Sequence, residues 1–211
     1  MNEPPDLRML VLHGLRLKGF AEAEPVAEAT STPLDDTRSM LEVLVDQGLA
    51  SRRDGRLSGF ALTAAGRQQH ARLLAEELDR TGARAAVHDT YRRFLGLNGT
   101  LLEVCTQWQL RTVDGEQTLN DHTDPSHDAR VVASLVDLHA QVVPICADLA
   151  GSLPRFASYA PRLEHALHRV RAGEVDWFTK PMIPSYHTVW FELHEDLLAT
   201  LGIERGSEVT A

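Results

Sequence analysis

The sequence predicts a mainly α-helical chain of two domains. Residues 1–82 form helices closed by a two-stranded β-hairpin, and residues 83–211 form an all-α domain. Three observations carry this reading. Leu34, Thr37, Leu41 and Leu44 recur at the spacing of one buried helical face. Asp54-Gly55, a dipeptide suited to a tight turn, stands between two short strand-like runs at residues 49–53 and 57–62. From residue 83 onward, long apolar-periodic runs dominate, with one extended polar interruption at residues 112–127.

Taken in order, residues 6–18 place Leu7, Leu10, Val11, Leu12, Leu15 and Leu17 for an amphipathic first helix, which Gly19 ends. Residues 24–29 give a short second helix with Val26 and Ala29 inward. Thr32 is positioned to N-cap the third helix, with Pro33 at its first position and Asp35 as an acidic capping-box partner. Gly48 supplies the left-handed stop after about Gln47, and Thr63 N-caps the helix that follows the hairpin. Helix, hairpin with arginines at its tip, then helix is the plan of a winged helix-turn-helix.

In the second half, residues 67–95 read as helical with a break near Thr81-Gly82, and residues 97–111 as a further helix. Residues 112–127 are turn-rich and too long for a simple connector. Residues 128–149, 153–172 and 185–201 complete the helices. Long helices like those of residues 67–95 build the subunit interface in winged-helix dimers, so a homodimer is expected.

Composition narrows the class. The chain is 43% hydrophobic and 24% charged, ordinary for a globular protein. No apolar run reaches the roughly 18 residues of a membrane span, and the acidic start MNEPPDLRML lacks the pattern of a signal peptide. Cys105 and Cys146 suggest buried thiols rather than a disulfide or zinc framework. The expectation is a cytoplasmic protein without membrane contact. Net charge is -9; residues 1–82 carry 10 basic and 13 acidic side chains, the remainder 11 and 17. That balance opposes nucleic-acid binding, which usually shows a basic footprint.

Several runs carry a resemblance: Val26-Ala27-Glu28-Ala29, Thr37-Arg38-Ser39-Met40-Leu41, Asp46-Gln47-Gly48-Leu49 and Leu62-Thr63-Ala64-Ala65-Gly66-Arg67. Over about residues 6–80 the chain is similar to the DNA-binding module of MarR-like bacterial regulators. The resemblance implies a third helix in the major groove of double-stranded DNA and a wing at the minor groove. Carried over by position, Thr32, Arg38 and Ser39 face the DNA from the helix, and Arg52, Arg53 and Arg56 from the wing. Asp35-Asp36 departs from the pattern, since two carboxylates there suit the helix dipole but oppose phosphates. The same scaffold also serves in tethering and protein interaction.

A second resemblance rests on WQLRTVDGEQTLNDHTD and SYHTVWFELHEDLL. These runs look like a C-terminal module attached to some bacterial pyruvate, phosphate dikinase-like enzymes. It implies a regulatory module docking on a PEP/pyruvate-handling enzyme, because the enzyme's own phosphotransfer segments are absent from this sequence.

For the second half the sequence offers a small-molecule effector site. Trp108, Arg111, Asn120, His122, Tyr186, His187 and Trp190 combine aromatic walls with polar groups. The alternative is that both tryptophans are core residues and Arg111 pairs with a local aspartate. Asp121, His122, Asp124 and His127 match no familiar metal spacing, and HEDL at residues 194–197 is not HExxH. No catalytic residue, metal or cofactor is expected. The leading expectation is thus a DNA-binding transcriptional regulator whose helical domain senses a small molecule, and its alternative is the docking module.

Overall fold

The computed structural model describes residues 6–113 and 115–204. Residues 1–5, read above as an acidic start, and Asp114 of the polar stretch lie outside the described residues. The chain is mainly helical. Its first half runs α1 (Leu7–Lys18), β1 (Phe20–Ala21), α2 (Ala23–Thr30), α3 (Leu34–Asp46), β2 (Ala50–Arg53), β3 (Gly59–Leu62) and α4 (Ala64–Thr81). The three strands make an antiparallel sheet in the order β1-β3-β2. The rest comprises α5 (Arg84–Gln109), a β4–β5 hairpin (Leu110–Val113, Glu116–Leu119) and α6 (Pro125–Ser152). After a 3-10 turn (Pro154–Ser158) come α7 (Tyr159–Arg171), α8 (Asp176–Thr179) and α9 (Tyr186–Leu201).

Local chemistry accounts for the element ends. Asp6 caps α1 by accepting from Arg8 N, Thr63 caps α4 through Gly66 N, and Ser185 caps α9 through Thr188 N. Gly48 leaves α3 at φ 69°, a conformation cheap only for glycine. The face of α3 defined by Thr37, Leu41 and Leu44 is buried as the periodicity requires. It joins Val11, Leu12, Leu15, Val26, Ala50 and Leu62 in one core. A larger core lies among the later helices, around Phe94, Leu135, Leu138, Phe156, Phe178, Tyr186 and Leu193. Met9, Leu10 and Leu74, with Ala199 against them, form a third cluster where α1 and α4 meet α9.

Several expectations are corrected. Thr32 does not cap α3: Pro33 occupies that position, and the Thr32 hydroxyl pairs instead with those of Thr30 and Thr37, at 2.9 and 2.7 Å. The β2–β3 connection is not a two-residue turn, because Arg53 pairs with Gly59 and five residues bridge them. Leu57 is 65% exposed and finds no core to face. Gly59 pairs with Arg53 and must lack a side chain, since a Cβ there would press on the Ala21 backbone, 3.0 Å away. A helix end near Gly96 is absent: α5 continues to Gln109, held by Phe94, Leu101, Val104, Cys105 and Trp108 on one buried face. Part of the polar interruption is the β4–β5 hairpin.

Candidate functional site

The exposed face of α3, the β2–β3 hairpin and the start of α2 surround a groove of about 320 Å³. Glu22, Glu24, Arg38, Glu42, Arg52, Asp54, Ser58 and Phe60 contribute to its walls. Each guanidinium in the groove is already engaged. Arg38 bonds Glu24 and lies 3.7 Å from Asp35. Arg52 bonds Asp54 at 2.8 Å and Glu42 at 3.0 Å, and it lies over the Phe60 ring at 6.0 Å. The Glu24 carboxyl titrates below its ordinary range, first through its own backbone N–H in the opening turn of α2 and then through Arg38. Ser39 is turned onto its own helix, donating to Asp35 O at 2.9 Å. Arg53 and Arg56 are exposed, with no ion pair among the described residues. The face therefore sets Glu22, Glu24, Asp35, Asp36, Glu42 and Asp54 against four arginines.

The seven residues read as an effector site fall into two groups. At one end of α5, Trp108 is buried against Phe178 and His122, with ring centroids at 4.7 and 4.5 Å. Asn120 bridges this end by donating to Trp108 O at 3.0 Å and to Asp128 Oδ1 at 2.8 Å. His122 sits at φ 58°, a sparsely populated backbone state for a residue with a side chain, and its Nδ1 meets Asp128 Oδ2 at 3.0 Å. Arg111 pairs with Asp121 at 2.9 Å. The other group is core. Trp190 donates to Asn98 Oδ1 at 2.7 Å and packs on Phe94, while Tyr186 lies 3.4 Å from His139 Nδ1. His187 is half-buried beside them on α9, and burial lowers its pKa. Asp124 and His127 have separate tasks. Asp124 caps α6, and the His127 ring bonds Gln107 O. Among the described residues no three His, Cys, Asp or Glu side chains are grouped to hold a metal ion.

A third constellation escaped the sequence reading entirely. Arg155, from the 3-10 turn, has a side chain only 2% exposed. It donates to Glu77 of α4 at 2.9 Å, to Thr200 of α9 at 2.5 Å, and to Asp196 of α9. Asp196 also accepts from Tyr159 OH at 2.9 Å and from His13 Nε2 at 3.0 Å. His13 Nδ1 then meets His70 Nε2 at 3.0 Å. Nε2–H of His13 faces Asp196, and the contact between His13 Nδ1 and His70 Nε2 holds one proton, carried by either ring. Around this chain, Lys18 and Arg162 bind Glu192, and Arg16 binds Glu195. Glu192, Glu195 and Asp196 share one face of α9, and α1, the 3-10 turn and α7 supply the counter-charges. The junction ties the first half of the chain to the second.

Electrostatics follow from burial. Burial alone would raise the Asp196 carboxyl, but Arg155 and His13 outweigh it and hold it well below the ordinary range. Burial, then the charges of His13 and Arg155, pushes His70 from its ordinary 6.5 down to about 3. The sign for stability is direct. Between pH 6.5 and about 3 the unfolded chain takes up a proton at this position that the folded chain refuses, so stability falls as pH falls. One such proton contributes up to about 1.4 kcal/mol per pH unit. Asp196 adds to the loss only at the acid end, where the unfolded carboxyl protonates. In urea titrations from pH 7 to pH 4, His70→Gln is expected to show a flatter pH dependence than the parent chain. Equal slopes would remove His70 as the source.

No protein-family model, curated protein or solved structure matches this chain.

Proposed function

We propose that residues 7–81 are a winged helix used as a regulatory docking module, with the groove between α2, α3 and the hairpin receiving a basic segment of a protein partner. The carrying observation is the ion pairing of that face. Arg38 and Arg52 are each engaged by two carboxylates, and Glu22 and Asp36 add further negative charge. A phosphate approaching here displaces carboxylates from guanidiniums and then meets an acidic surface. An arginine or lysine side chain finds carboxylates already arrayed around a groove. The resemblance to a module of pyruvate, phosphate dikinase-like enzymes points the same way, towards a protein partner.

A second reading, a DNA-binding regulator, is favoured by Arg53 and Arg56 at the hairpin, which have no ion pair among the described residues. One experiment separates the two. Selection from random double-stranded DNA, followed by salt titration, is expected to return only weak, sequence-blind binding. Arginine-rich peptides are expected to bind, and Glu24→Gln with Glu42→Gln to weaken them. A palindromic DNA site bound far above random DNA would overturn the docking reading. In that case Arg53→Ala with Arg56→Ala should lower the salt slope by about 1 per lost phosphate contact.

A further inference from the structure

The two halves of the chain meet through a junction that is largely ionic. The backbone crosses between them once, at Gly82, which ends α4 at φ 64° and where an added Cβ would find no atom within 4 Å. Apolar contact across the junction is limited. Met9, Leu10 and Leu74 form a small cluster with Ala199 against it, and Leu78 of α4 joins the core of the later helices. Arg16 and Lys18 of α1, Arg155 of the 3-10 turn and Arg162 of α7 meet Glu77 of α4 and Glu192, Glu195 and Asp196 of α9. Four cations thus face four carboxylates, and the junction is balanced before any histidine takes up a charge. His13 of α1 and His70 of α4 stand in the middle of it, each 3% exposed.

We propose that the His13–His70 pair is an acid-operated release: full protonation of the pair parts the two halves at Gly82, each keeping its own core. The contact geometry carries the step. His13 Nδ1 and His70 Nε2 lie 3.0 Å apart, a hydrogen bond while one proton is held between them. Imidazoliums on both rings set N–H against N–H across that distance. They also bring positive charge that the balanced junction does not cancel, with Arg155 Nη1 already 3.4 Å from His13 Nε2. Parting the halves relieves both, because the two rings stand on the first half and Arg155 on the second, and water then reaches all three. The sign follows from His70. Burial, then the charges of His13 and Arg155, holds its pKa at about 3 in the closed junction, against an ordinary 6.5 in water. Each pH unit between those limits multiplies the open-to-closed ratio by up to about ten, so pH 6.5 to pH 4.5 gives about a hundredfold. Asp196, whose burial is outweighed by Arg155 and His13, adds to opening only as pH nears its ordinary 3.8. The Tyr159 hydroxyl on Asp196 stays neutral throughout.

Energy transfer in the full chain reads the separation. Tryptophan occurs only at positions 108, 177 and 190, all in the second half. A coumarin acceptor on Glu28→Cys, an exposed site of α2, places the other end on the first half. Cys105 and Cys146 do not compete for the label, since both are buried and their thiols are pushed up to about 12. Transfer, taken as tryptophan quenching relative to the unlabelled chain, should fall between pH 7 and pH 4.5. Far-UV circular dichroism should keep its pH 7 shape over the same range, and the radius of gyration from small-angle scattering should rise. His70→Gln, used once its circular dichroism at pH 7 matches the parent, should hold the transfer near its pH 7 level. Three results would each overturn the proposal: transfer unchanged down to pH 4.5, transfer and circular dichroism lost together, or the same pH dependence in His70→Gln. The first two need no histidine variant, so they decide the matter even where His70→Gln does not fold.

Discussion

Replacing Asp196 with Ala is expected to cost about 3–5 kcal/mol of stability, the range for breaking one partner out of a buried ion pair. The substitution strips Arg155 of its central carboxylate and leaves the guanidinium only 2% exposed, with Glu77 as its remaining charge partner. It also removes the nearer acceptor of the Tyr159 hydroxyl, leaving Glu192 O at 3.4 Å, and the carboxylate that faces His13 Nε2. The loss should be visible as lost cooperativity, because the junction joins α1 and α4 to α9 and the 3-10 turn. All three tryptophans, Trp108, Trp177 and Trp190, lie in the second half, so their fluorescence reports on that half alone. Urea unfolding of the parent chain should give coincident fluorescence and far-UV circular dichroism transitions. In Asp196→Ala the two should separate. A loss under about 1 kcal/mol with coincident transitions would mean that the network is a bystander to the packing around it. Exchanging the cluster for apolar residues of similar volume is a different experiment, since removing every charge together is often neutral.

That junction also marks where sequence reading stops. The helix α3, its glycine stop, the Thr63 cap and the apolar face of Leu41 and Leu44 were legible because each signal is local. An ion pair is not local. Arg155 meets Glu77 and Asp196, each from a different element, and nothing in one segment announces the others. A signal did exist on α9, where Glu192, Glu195 and Asp196 interrupt an otherwise apolar helix on one face. Read alone, such carboxylates look solvated; in a helix buried nearly all round they require partners. The β4–β5 hairpin was hidden for the opposite reason. β5 is exposed throughout, so no alternation of apolar and polar residues marks it as a strand. Among the effector-site residues, Trp108, Asn120 and His122 were chosen by type and do meet, through an aspartate, Asp128, that their own segment did not suggest. Trp190 and Tyr186 were chosen by the same reasoning and belong to the core, because an indole N–H can be satisfied by Asn98 as well as by a ligand.

Gly66→Ala is the other substitution expected to be severe, and for a purely steric reason. By helix propensity alone it should help, since alanine is favoured over glycine in a helix interior by about 1 kcal/mol. Gly66 occupies the first turn of α4, where Thr63 Oγ1 accepts from its N–H at 3.0 Å. A Cβ built there falls 1.9 Å from Leu49 O and 2.9 Å from the Leu49 carbonyl carbon. That carbonyl cannot swing away freely, because it accepts from Thr63 N and from Thr63 Oγ1, both at 3.1 Å. The clash is therefore with backbone that α4 and the hairpin hold between them. The expected cost is about 2–3 kcal/mol, the scale of overpacking a rigid site. Gly96→Ala is the matched control. Gly96 lies in the interior of α5 with no atom within 4 Å of an added Cβ, so propensity acts there unopposed. Its urea midpoint should rise, by about 0.5–1 kcal/mol in stability, while that of Gly66→Ala falls. Similar midpoints for the two variants would show that the Leu49 carbonyl yields, and that α4 sits on the hairpin less tightly than the 1.9 Å approach requires.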